Sequence, residues 1–224
     1  MQSSINFFLA LIKWPVALLM VLLVVPAFNT IVAVSMNLVT MDVLLWFGLP
    51  CILMCAAWLF MPGMSGSFLA IMEHELTHML FALLTFHPPV SLDVNQNKGG
   101  YFAFKGKGNW LIAIAPYFFP TFGFVVMLAS IAYIVMGEKI PDMYWSVLGV
   151  MVGYHLASSI LEIHPKQTDF KVAGYLFTLL FLPGANLIVY GILLSFASLG
   201  WKGVDVYFNV LNHQTQELLM RLMS

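Results

Sequence analysis

Six apolar stretches of span length constrain this chain more than any other feature of its sequence. They run approximately 14–34, 43–61, 67–86, 110–136, 143–163 and 172–199. Each reaches the ~20 residues that an α-helix needs to cross the hydrocarbon core of a bilayer. Backbone N–H and C=O groups find no water there, so a spanning segment of this kind must satisfy them within its own helix. Composition agrees: 61% of the residues are hydrophobic and 8% charged, with a mean hydropathy of +0.92. A soluble domain carries roughly 25% charged residues. The expectation is an all-α polytopic membrane protein with about six transmembrane helices, forming one domain over 1–202. A net charge of -1 and the lack of a basic tract argue against a nucleic-acid partner. Cys51 and Cys55 lie four apart within an apolar helix, where they read as small packing residues.

The connections differ in character. "MPGMSG", Met61 to Gly66, is a proline- and glycine-rich turn that makes a hairpin of the second and third spans. "GEKIPD" turns the chain between the fourth and fifth. Between the third and fourth, Val90, Leu92 and Val94 alternate with polar residues, the pattern breaks over Asn95 to Gly100, and aromatics resume at Tyr101, Phe102 and Phe104. That predicts a short β-hairpin at about 90–105, with Gly99-Gly100 supplying permissive backbone. Residues 203–224 place Val204, Phe208, Leu211, Leu218 and Leu222 along one helical face. They predict an amphipathic helix at the membrane surface, a dimer-forming helix being the rival reading.

Polar chemistry is concentrated in the third span. "EHELTH" places Glu73, His74, Glu75 and His78 in the middle of an apolar run. Ionisable groups cost a few kcal/mol each at such depth and are kept where they pair or function. His74 and His78, four apart, stand on one helical face and can bind a single zinc ion. Glu75, next to the first ligand, can then take a proton from a zinc-bound water as a carbonyl is attacked. The competing readings are a polar bundle core or an ion or proton path using the same cluster. A catalytic zinc usually takes a third protein ligand, for which His155, Glu162, His164 and Asp169 are candidates. Asp169 follows Pro165 at the opening of the sixth span, where it can also cap the helix. Pro183, Gly184 and Asn186 loosen the sixth span and suit a kink or a polar interhelical contact.

"HELTH" within a span, a following Gly-Gly hairpin, the Ala115-Pro116 pair in the next span and "TD" (Thr168-Asp169) opening a later helix resemble the site-2 protease family of intramembrane zinc metalloproteases. The resemblance extends over roughly Ser67 to Tyr190 and is closest to the small bacterial branch with a Ser/Thr-Asp second motif. Better-known members carry Asn-Pro followed by Asp-Gly, where this chain has His164-Pro165 and then Asp169-Phe170. The resemblance implies His74, His78 and Asp169 as zinc ligands and Glu75 as general base. It implies a transmembrane protein substrate and a multi-pass protein of the bacterial inner membrane. The hairpin residues Gly99, Gly100 and Tyr101 are then candidates for holding an unwound substrate segment as an added strand. A prenyl-protein-type membrane metalloprotease would use Glu162 in place of Asp169. A metal or proton transporter would have no requirement for Glu75 as a base.

Overall fold

The computed structural model describes residues 1–61, 67–95, 99–164 and 166–224. The turn expected at Met61–Gly66 lies outside these beyond Met61. So do Gln96–Lys98 at the hairpin tip and Pro165 before the second motif.

The chain is overwhelmingly helical. Helix α1 (Gln2–Leu38) runs unbroken through Pro15 and Pro26. A short α2 (Met41–Val43), a π-helical turn (Leu44–Gly48) and α3 (Leu49–Phe60) make one continuous apolar segment, Met41–Phe60. With α7 (Asp142–Glu162) and α9 (Tyr175–Leu199), they give four helices among the described residues long and apolar enough to cross a membrane. A fifth candidate is a bent pair, α5 (Trp110–Ile114) with a 3₁₀ turn (Ala115–Tyr117) and α6 (Thr121–Met136), broken by 83°. The sequence drew 110–136 as one straight span. Pro116 and Pro120 explain the break, because each lacks the N–H that would continue the helix. Helix α4 (Phe68–Leu84), which carries "HELTH", has 17 residues and starts at Ser67, whose Oγ accepts from the Ala70 N–H at 3.4 Å. The segment drawn as 172–199 is also divided. Short α8 (Thr168–Ala173) is separated from α9 by Gly174, whose φ of +90° favours glycine.

Small residues let the spans approach closely. Methyl groups at Gly149 and Gly153 of α7 would overlap the backbone at Phe47 and Cys51, and one at Gly184 of α9 would overlap that of Met20 in α1. Such contacts take the place of hydrophobic burial as the packing force between helices in lipid. Behind the site, Trp110, Phe118, Phe177 and Phe181 interlock edge-to-face or stacked.

The hairpin forms as the alternation predicts. Strands β1 (Pro89–Asn95) and β2 (Gly99–Phe104) are antiparallel, with Leu92 opposite Phe102 and Val94 opposite Gly100. Its base is pinned by the start of α1: Gln2 Nε2 donates to the Lys105 carbonyl and Asn6 Nδ2 to that of Lys107, both at 2.7 Å. Fully buried His87 reaches the same Lys107 carbonyl through Nε2 at 2.7 Å.

The C-terminal helix is α10 (Trp201–Met223). It folds back against α9 and α1, with Tyr207 against Gly191 and Gly203 against the Ser195 carbonyl. Of the expected apolar side Leu211 is buried and Phe208 and Leu222 are exposed, while Tyr207, outside that set, is fully buried.

Candidate metal centre

Two helical turns and a distant short helix build the site. Positions 74 and 78 of α4 set their imidazoles edge-to-face, with Nε2 atoms 3.1 Å apart. Helix α8 brings Asp169 to them: its Oδ2 lies 3.4 Å from His74 Nε2 and 3.6 Å from His78 Nε2. These three residues are the one such group among the described residues whose ligand atoms could share a metal ion. A tetrahedral ion with bonds of about 2.0–2.1 Å requires ligand atoms about 3.3–3.4 Å apart. The observed separations bracket that value.

The outer atoms of these residues are committed elsewhere, and that decides which atoms face inward. His78 Nδ1 lies 2.7 Å from the Ile112 carbonyl, which has no proton to offer, so the ring nitrogen donates. His74 Nδ1 likewise donates to Glu162 Oε2 at 2.9 Å. With both Nδ1 atoms donating outward, His74 Nε2, His78 Nε2 and Asp169 Oδ2 face one another within 3.1–3.6 Å. Such a cluster of ligand atoms is held together by a cation among them, a shared proton or a metal ion. The donor set therefore fits a metal ion. Imidazoles held through Nδ1 by a carboxylate and a carbonyl are the support that metal-ligating histidines commonly receive.

Asp169 is steadied from the other side. The hydroxyl of Tyr117, fully buried at the helix break, donates to Asp169 Oδ2 at 2.8 Å. The Tyr117 ring also stands edge-on to His74 and packs on Phe170.

The other sequence candidates take different positions. Glu162, weighed as a third ligand, faces the Nδ1 side of His74. His155 sits deep in α7, with Nδ1 on the Tyr190 hydroxyl at 2.8 Å and Nε2 on the Pro116 carbonyl at 3.2 Å. Asn186, flagged with Pro183 and Gly184, donates to the Tyr117 carbonyl at 3.1 Å. His155 and Asn186 thus satisfy the carbonyls that the break around Pro116 sets free. His164 accepts from the Lys166 N–H at 3.2 Å. Glu73 is buried and accepts from the Phe122 N–H at 2.9 Å, capping the start of α6.

Glu75 is buried on α4 beneath the hairpin. A Cβ added at Gly100 would stand 2.5 Å from Glu75 Cγ and Oε1 and 2.6 Å from Ile71 Cγ2, so strand β2 passes directly over the carboxylate. Only glycine permits that approach. Gly99, with φ +86°, faces open space, and Tyr101 is exposed. Of the three hairpin candidates, Gly100 alone is thereby placed against Glu75.

Sequence reasoning missed Tyr117, the Ile112 carbonyl and the supporting position of Glu162. One signal was available for Tyr117: a phenol one residue after a proline inside an apolar stretch needs a hydrogen-bond partner in lipid. Nothing in the sequence marks a backbone carbonyl such as that of Ile112. Comparisons with protein-family models, with curated proteins and with solved structures find no match for this chain.

Proposed function

We propose that this protein is an intramembrane zinc metalloprotease that hydrolyses peptide bonds within or next to a transmembrane segment of a protein substrate. One observation carries the reading: His74 Nε2, His78 Nε2 and Asp169 Oδ2 converge to 3.1–3.6 Å while Glu162, Ile112 and Tyr117 hold the three residues in place. A zinc ion held by the three would act as a Lewis acid, polarising the scissile carbonyl and making water a better nucleophile. Glu75 supplies what a mere binding site lacks, a carboxylate beside the ligands able to take the proton of the attacking water and return it to the leaving amine. A helical substrate is internally hydrogen-bonded, so it must unwind before attack. The hairpin edge above Glu75 suits an extended segment, with backbone hydrogen bonds replacing those lost on unwinding.

In this reading α4 is a short span in addition to the four long helices and the bent pair, giving six, and the membrane is the bacterial inner membrane that the resemblance to the site-2 protease family implies. The metal is tested by elemental analysis of the purified protein. About one equivalent of zinc is expected in the wild type, and its loss in Asp169→Ala. Cleavage of a reconstituted membrane-protein substrate that stops in Glu75→Gln, with zinc retained, supports the protease. Metal flux into sealed vesicles that is indifferent to Glu75→Gln would replace it with a transporter.

A further inference from the structure

The two ends of the helical bundle differ in charge. Helices α1 and α9 run parallel: Trp14 stands edge-on to Phe177, and the Met20 backbone meets Gly184. The start of α1 also binds the carbonyls of Lys105 and Lys107, so the hairpin base and the α8–α9 junction share one end. At the other end, a cavity lined by Thr40, Asp42, Asp142 and Gly200 joins the far ends of α1 and α9 to the start of α7. The 25 residues of α9 separate the two ends by about 37 Å at ~1.5 Å per residue, enough to cross a hydrocarbon core of ~30 Å.

The hairpin end is basic. Lys105, Lys107, Lys166 and Lys171 are exposed there, and Asp93 is the one exposed carboxylate among the described residues of that end. Lys13 adds positive charge slightly deeper, its ammonium 5.0 Å from the centre of the Phe177 ring. The opposite end is acidic, with Asp42, Glu138, Asp142 and Asp205 exposed against Lys139 and Lys202. Glu217 and Arg221 line a crevice with Val25 and Asn29 partway along α1 and belong to neither end. The four lysines stand just ahead of the candidate spans that begin at Trp110 and Tyr175, which is headgroup level. The cytoplasmic leaflet carries the negative surface potential, so it attracts lysines beside a span and repels the carboxylates of the far end. Lysine in short loops near span ends also marks the cytoplasmic side during insertion. Both effects favour the same orientation.

We propose that the lysine-bearing end rests on the anionic headgroups of the cytoplasmic leaflet, so that the hairpin and the α8 helix carrying Asp169 face the cytoplasm. The placement rests on charge and helix direction, independently of the protease reading, and would hold equally for a transporter.

The test uses the full chain in a Cys51→Ala, Cys55→Ala background, with single cysteines at Lys105→Cys, Lys171→Cys and Glu138→Cys. In spheroplasts of a bacterial host, a membrane-impermeant maleimide is expected to label Glu138→Cys roughly tenfold faster than the other two. In inside-out vesicles the order is expected to reverse. The opposite pattern, or equal rates in both preparations, overturns the proposal. The lipid contact is read separately, from native mass spectra of protein released from nanodiscs of equal phosphatidylglycerol and phosphatidylcholine. Wild type is expected to retain phosphatidylglycerol over phosphatidylcholine by roughly threefold. The combined Lys105→Gln, Lys107→Gln, Lys166→Gln and Lys171→Gln variant is expected to lose that preference, with full-length protein at normal yield showing that it still folds. Equal retention of the two lipids by wild type, or an undiminished preference in the variant, overturns the proposal as well.

Discussion

The Tyr117 hydroxyl can be removed with little change in volume, and the consequence follows from which oxygen it holds. Tyr117 donates to Asp169 Oδ2 at 2.8 Å, the same oxygen that lies 3.4 and 3.6 Å from the two histidine Nε2 atoms. Tyr117→Phe leaves the ring against His74 and Phe170 but frees the carboxylate to rotate away from the imidazoles. A hydrogen bond to a charged group contributes ~1.5–3 kcal/mol, equivalent to about 10- to 150-fold in affinity at ~1.4 kcal/mol per factor of ten. Loss of outer support around a metal ligand typically costs about 10- to 100-fold in affinity. The Asp169 side chain is 19% exposed, so water can replace part of the lost bond and the effect should fall near the lower limit, about tenfold. The assay is competition for zinc against a chelator of known affinity in detergent, with Tyr190→Phe as the control. Tyr190 bonds His155 and is no part of the metal group. Equal zinc affinity in wild type and Tyr117→Phe, or an equal loss in Tyr190→Phe, would refute the assignment of Tyr117 as the group that orients Asp169.

Three further outcomes are expected. Glu75→Gln keeps both imidazoles and Asp169, so it should retain zinc yet lose peptide hydrolysis by about 10²-fold or more; cleavage at the wild-type rate would remove Glu75 from the chemistry. Gly100→Val sets a side chain into Glu75 and Ile71, and should reduce cleavage sharply with little change in bound zinc. Cleavage by Gly100→Val at the wild-type rate would show that β2 does not bear on the site. Glu73→Ala uncaps the start of α6 and leaves the Phe122 N–H without its acceptor, which should cost about 1–3 kcal/mol in unfolding experiments in mixed micelles. An unchanged unfolding midpoint would count against the capping role.

The sequence by itself determined whatever depends on neighbours along the chain. Span-length apolar runs required helices, because lipid offers the backbone no other partner. Alternation around Gly99-Gly100 required a hairpin, and the four-residue spacing of His74 and His78 put two imidazoles on one helical face. Glu75 followed from its place beside them. Where one apolar run ended and the next began was less legible, since hydropathy does not register the two prolines that divide α5 from α6 or the glycine that sets α8 apart from α9. Asp169, read as the opening of the sixth span, belongs instead to a separate short helix, α8, which brings it to the two histidines.

Only the tertiary structure could choose among the carboxylates and histidines competing to be third ligand, because that choice depends on distance and on which atom points inward. It set Asp169 Oδ2 among the Nε2 atoms, Glu162 behind His74, and His155 on a carbonyl freed by the helix break. It brought Gly100 onto Glu75 and packed the amphipathic C-terminal helix along α1 and α9. The physical reason is common to all of these. Local pattern fixes the direction of a side chain relative to its own helix axis, whereas a ligand set or a helix seam requires the relative placement of axes far apart in sequence. Here that placement is governed by where glycines let backbones touch and where prolines release carbonyls that distant side chains must satisfy.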